Sequence, residues 1–204
     1  MFRALLVALI SSSVMFCSPA AWSTSGTPDA VITAVTDKLR AELGKTEAGQ
    51  TVNPETVFVL IERHVAPVVD FERIARRVLG KDWEAASAAQ RTRFVTELRK
   101  MMFRTYSHAV GGLAGATLRY GDVRRSRSGN VAMVPTRVLT DDAPEVKMNY
   151  YLYRGDQGWR LYDISVAGVS MLKTYKRTFK NQVRELGIDG LIDHLASVNL
   201  SKDA

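Results

Sequence analysis

Apolar residues recur at helical spacing through the first half of the chain and alternate with polar ones through much of the second. Over residues 29–43, Val31, Ile32, Val35, Leu39 and Leu43 form one stripe, and Gly44 ends the run. Asn53 stands as an N-cap before Pro54, and Val57, Phe58, Leu60, Ile61 and Val65 carry a second helix towards Pro67. Asp70 is placed to cap a third, short helix with the stripe Phe71, Ile74, Ala75, Val78 and Leu79, closed by Gly80. Ser87 and Gln90 have the spacing of a capping box and open the longest helix, with Phe94, Val95, Leu98, Met101, Met102 and Tyr106 inward.

The stretch "GGLAG" at 111–115 breaks the helical pattern, and four strand-like runs follow at 116–123, 131–139, 146–153 and 159–166. The intervening "RRSRSGN", "TDDAPE" and "RGDQG" have hairpin chemistry, so an antiparallel meander is expected. In the third hairpin, setting Tyr153 opposite Trp159 places Tyr150 against Tyr162, Met148 against Ile164 and Val146 against Val166. Sliding by one would oppose Tyr150 to Asp163, so the first register is preferred. Two helices close the chain, one from Met171 to Leu186 with Gly187 as its C-cap, the other following Asp189. The pattern predicts an α+β fold: a twisted four-stranded antiparallel sheet wrapped by helices. Its parts are a helical section at 29–110, the sheet at 116–167 and C-terminal helices at 170–198, all within one domain at 23–204.

The N-terminus changes the picture of where such a domain works. In "MFRALLVALISSSVMFCSPAAWS", Arg3 precedes a short apolar run, and Ser18 and Ala20 are suited to signal cleavage. Residues 1–22 read as a secretory signal peptide, too short in its apolar part for a spanning helix. Cys17 leaves with it, so the exported chain has no cysteine and no disulfide framework. The charge balance, 28 Lys and Arg against 21 Asp and Glu, suits nucleic acid, anionic membrane or acidic protein. Export disfavours nucleic acid. Lys173, Lys176, Arg177, Lys180 and Arg184 make the first C-terminal helix basic on its outer faces, which reads as an ordinary solvated face or, more sharply, as a docking surface for an anionic membrane or acidic partner.

A search for catalytic chemistry finds little. His64, His108 and His194 do not stand at metal-ligand spacing, and no phosphate-binding glycine loop is present. Gly168-Val169-Ser170 resembles half of a nucleophile elbow, but Leu172 stands where the second glycine belongs. Ser170 is better read as the N-cap of the helix that Met171 begins. Asp163, beside Tyr162 on a strand, reads first as a hydrogen-bonded structural carboxylate, with an acid or base as its alternative role.

Three segments in order carry a family resemblance: "HVAPVVDFERIARRVLGKDWEAASAAQRTRFV", "WRLYDISVAGVSML" and "LGIDGLIDHLA". With them the chain resembles the MlaC family, the toluene-tolerance or periplasmic phospholipid-binding proteins. The resemblance implies helices over the sheet enclosing an apolar cavity for acyl chains, no cofactor and no chemistry on the lipid. It implies a periplasmic shuttle between an outer-membrane lipoprotein complex and an inner-membrane ABC transport complex, with phospholipid or, in a related branch, hopanoid as cargo. The matching G-V-S-M segment places Val169 and Met171 at the cavity. The hairpin register adds Met148, Tyr150, Tyr162 and Ile164, and the long helix adds Met102, Phe103 and Tyr106. Alternatives outside the carrier class are a small exported enzyme using Asp163 and an envelope docking protein using the basic helix.

Overall fold

Local signals place the helices of the computed structural model, which describes residues 26–45, 53–140 and 143–201. The signal-peptide reading and Cys17 lie outside them. Helix α1, Pro28–Leu43, is followed by α2, Pro54–His64, where the Asn53 side chain accepts from the Glu55 N–H. A 3-10 turn at Ala66–Val68 leads to α3, Phe71–Leu79. Asp70 caps α3 by accepting from the Arg73 N–H at 2.8 Å, and every residue of the predicted stripe is buried. A one-turn helix, α4, Lys81–Ala85, was not anticipated; it buries Trp83. The Ser87–Gln90 capping box is formed in both directions and opens α5, Ala88–Gly111.

The sheet has six strands where four were expected: β1 Thr117–Tyr120, β2 Arg124–Arg125, β3 Val131–Thr140, β4 Ala143–Gly155, β5 Gly158–Val166 and β6 Val169–Ser170. Their order is β1-β3-β4-β5-β6, with β2 also on β3, and every pairing is antiparallel. The difference has two local causes. β1 and β2 are one edge run, broken opposite Pro135 of β3, which has no N–H to give the ladder. Gly121 at the break donates to the Pro135 carbonyl at 2.8 Å. At the other end, Ala167 and Gly168 have φ of 49° and 84°. Two successive positive φ values make a primed two-residue hairpin turn, so the chain doubles back for two residues as β6 before its last helix.

The β4–β5 register also departs from expectation. Arg154, not Tyr153, faces Trp159, and an irregularity between Tyr151 and Leu152 leaves Tyr162 as an extra residue on β5. Beyond it Tyr150 faces Ile164 and Met148 faces Val166. The slip from the predicted pairing is two residues there, so Met148, Tyr150 and Ile164 keep a common face.

The last helix, α6, Met171–Ser201, is interrupted at Gly187, with φ 72° and ψ 178°. This is the predicted division into two helices, at the one residue type that adopts this conformation without strain. The N-terminal half packs on β5, and α6 lies along α3 and α5. Phe94 of α5 meets Phe179 of α6 edge to face at 5.8 Å. Farther along, Gln90 bonds Asp189, Arg93 bonds Asp193, and Asn199 donates to the Glu97 carbonyl and carboxylate.

Candidate functional site

A recess of about 430 Å³ opens between the C-terminal end of α5, the N-terminal halves of α3 and α6, and one end of the sheet. Its helical walls come from Ile61, Val65, Phe71, Ile74, Met102, Phe103, Tyr106, Val110, Leu113, Leu172 and Tyr175. Its sheet wall is Val138, Val146, Met148, Leu161, Tyr162, Ile164 and Val166, with Asp163 and Met171 at the junction with α6. Apart from Asp163 and three tyrosines, every lining side chain is apolar. The size lies within the range of small-molecule sites, ~300–1,000 Å³.

The bulge on β5 helps shape this wall. It brings Tyr162 to the recess along with its neighbours Leu161 and Ile164. The Leu161 carbonyl accepts from the Asp70 N–H at 2.9 Å, and Arg160 donates to the Val69 carbonyl at 2.9 Å. The loop before α3 is thereby pinned to the bulged strand. Arg77 lies over the Tyr162 ring at 4.8 Å, and Arg73 over Tyr153 at 3.6 Å.

Of the residues that the sequence placed at the cavity, Met102, Phe103, Tyr106, Met148, Tyr162, Ile164 and Met171 line this recess. Two do not. Val169 pairs with Val166 on the two-residue edge strand β6 and is 59% exposed. The turn at Ala167–Gly168 carries it to the rim instead of into the wall. Tyr150 lies in the packed core near Tyr120, whose hydroxyl is 2.7 Å from Thr36 Oγ1 of α1. Sequence reasoning missed the contributions of α2, α3 and Leu113. Their apolar stripes, like those of Leu172 and Tyr175 on α6, look the same whether they face a core or a void.

Ser170 does what its position predicts. Its Oγ accepts from the Lys173 N–H at 3.1 Å and donates to Asp163 Oδ2 at 2.6 Å, while Asp163 Oδ1 accepts from the Leu172 N–H at 3.0 Å. The Asp163–Ser170 pair therefore satisfies two of the orphan amides at the start of α6. Ser170→Ala is expected to lower stability by about 1 kcal/mol, a fall in Tm of roughly 2–4 °C by thermal denaturation.

Burial raises Tyr150, Tyr153, Tyr162 and Tyr175, the first and last of them to the largest extent. The Tyr150 hydroxyl is pushed up to about 12, chiefly by burial and then by the nearby Tyr120. Tyr175 is raised by burial and by its bond to Tyr106. A raised folded pKa favours the neutral phenol in the fold. That stabilisation is complete below the unfolded value of 10.0 and lost as pH rises through about 12. Absorbance at 295 nm is expected to show Tyr150 and Tyr175 un-ionised at pH 10.5, titrating only with the loss of helical circular dichroism.

With the geometry in place, comparison with known proteins decides the family. The family model described as MlaC protein matches residues 33–197, most of the chain. The chain belongs to the MlaC family. Among MlaC relatives, the intermembrane phospholipid transport system binding protein of Haemophilus influenzae is 21% identical over 168 residues, covering 81% of this chain and 78% of that protein. The toluene tolerance protein ttg2D of Pseudomonas putida is 22% identical over 186 residues, covering 87% and 85%. A phospholipid-binding protein from Ralstonia solanacearum, solved in complex with a phospholipid, superposes with a TM-score of 0.79 at 23% identity. That match covers 88% of this chain and all of the other. The α+β fold is thus shared with that protein across low identity.

Proposed function

We propose that this chain is a periplasmic lipid carrier, which holds phospholipid acyl chains in the recess and moves lipid between outer- and inner-membrane components of an ABC transport system. The observation that carries the reading is the recess itself: a pocket whose wall is apolar apart from three tyrosines and one carboxylate already engaged as a helix cap. Each methylene buried there contributes about 0.8 kcal/mol, so long chains are favoured over small polar ligands. Met102, Met148 and Met171 line it, and thioether side chains repack around chains of different shape, which suits loading and release.

The residues we assign to acyl-chain contact are Met102, Phe103, Tyr106, Met148, Tyr162, Ile164 and Met171. Membership of the MlaC family and relatives named for phospholipid transport support phospholipid as the cargo. No helix among the described residues is long and apolar enough to cross a membrane. Lys173, Lys176, Arg177, Lys180 and Arg184 are exposed on α6 and form the face we assign to docking against acidic surfaces of the membrane complexes.

A transfer assay tests carriage against the adaptor reading. Sub-stoichiometric protein is expected to move labelled phospholipid between two vesicle populations held apart by a protein-permeable membrane. Transfer no faster than without protein would count against carriage. Identifying lipid extracted from the purified chain separates phospholipid from hopanoid cargo.

A further inference from the structure

Tyr106 and Tyr175 face each other across the recess with their hydroxyl oxygens 3.0 Å apart, and Tyr106 is also 3.8 Å from Met171 Sδ. The two hydroxyls carry two protons, and the bond between them uses one. If Tyr175 donates to Tyr106, the Tyr106 proton is left with a thioether, a weak acceptor. If Tyr106 donates instead, the Tyr175 proton is the one without a strong acceptor. Either way one phenolic donor has no strong acceptor among the protein groups, so it relies on water, and once acyl chains displace that water it costs free energy unless the ligand supplies an acceptor.

The other polar groups of the wall do not compensate. Asp163 is engaged by Ser170 and by the Leu172 amide, and Tyr162 lies under Arg77. The rings are held in place: Tyr175 packs on Phe179 at 5.5 Å, and Met171 is one helical turn before it. A charged acceptor such as phosphate would be heavily penalised among these apolar walls, whereas a neutral carbonyl would not. In a diacyl lipid the neutral acceptors are the ester carbonyls, where the tails join the glycerol.

We propose that the Tyr106–Tyr175 pair hydrogen-bonds an ester carbonyl of the bound lipid, making the recess selective for diacyl esters over hydrocarbon chains alone. Met171, a flexible side chain, moves aside and its place at the Tyr106 hydroxyl is taken by the carbonyl. This rests on the carrier reading and sharpens it to a chemical class of cargo. Steroid-like or hopanoid hydrocarbons lack the group that the pair would hold.

The test is a competition between dipalmitoyl phosphatidylethanolamine and its dihexadecyl ether analogue, equal in mixed vesicles, with loading of the full chain read by native mass spectrometry. The wild-type chain is expected to take ester over ether by about 3- to 10-fold, the range of one hydrogen bond. Tyr106→Phe with Tyr175→Phe is expected to bring the ratio close to one. If it does not fold, Tyr106→Leu with Tyr175→Phe removes the same two donors and is expected to give the same ratio, and the wild-type ratio is read in either case. A wild-type ratio near one, or a ratio unchanged in the variants, overturns the proposal while leaving the carrier reading intact. Failure of both lipids to load removes the carrier reading, and this inference with it.

Discussion

Ile164→Glu is expected to abolish lipid loading while leaving the fold in place. Ile164 lies on β5 opposite Tyr150, with its side chain on the wall of the recess and only partly buried. In the absence of lipid a glutamate there keeps contact with solvent. With acyl chains packed over it, the carboxylate would lose water among apolar neighbours, and the Ser170 hydroxyl and Leu172 amide at this wall already serve Asp163. An isolated buried charge costs several kcal/mol, so affinity should fall by more than about 100-fold. Burial disfavours the charged form and raises a carboxyl pKa, so residual binding should strengthen as pH falls from 8 to 5. Ile164→Met, which nearly conserves volume, should stay within about 1.5 kcal/mol of the parent. Native mass spectrometry of the three proteins, with circular dichroism as the check on folding, reads all of this. Normal loading by the glutamate variant would show that acyl chains do not lie against β5.

Phe94→Ala is expected to be the most damaging single truncation for stability. Phe94 has no exposed surface and forms the edge-to-face contact that joins α5 to the first half of α6. Removing a fully buried phenylalanine loses its transfer free energy and leaves a cavity, together about 3–5 kcal/mol. Against the ~5–15 kcal/mol stability of an ordinary domain this is a large share, and Tm should fall by roughly 6–20 °C. Because Tyr175 and Phe179 stack in series beyond Phe94, the recess wall should loosen as well. A urea midpoint close to the parent value would mean that α6 is held chiefly by its second half, through Asp189, Asp193 and Asn199.

The residues that signalled structure clearly did so through local chemistry. Asn53, Asp70, Ser87 with Gln90 and Ser170 cap the helices they precede, because a cap needs only a side chain and the next few amides. Gly187 divides the last helix because of its own backbone freedom. The third hairpin was harder. Tyr151, Tyr153, Trp159 and Leu161 are apolar or aromatic on both faces near the turn, so alternation does not single out one register. The chain adopts a pairing shifted at the turn and shifted again by the bulge at Tyr162, which depends on the loop before α3 bonding to Leu161. Val169 was misplaced for a related reason. A glycine before a helix reads as a simple corner, whereas positive φ at both Ala167 and Gly168 builds a hairpin and sends Val169 to the rim. A stripe such as Leu172, Tyr175 and Phe179 does not say where core ends and void begins. Tyr175 lines the recess, and Phe179, one turn on, is buried.

The central claim is that the recess holds lipid. Native mass spectrometry of the purified chain, followed by organic extraction of the same sample, tests it most directly. The account predicts one population heavier than the polypeptide by the mass of a diacyl phospholipid, and the same lipid in the extract. Protein that is repeatedly empty, and that takes up no lipid from phospholipid vesicles, would contradict it.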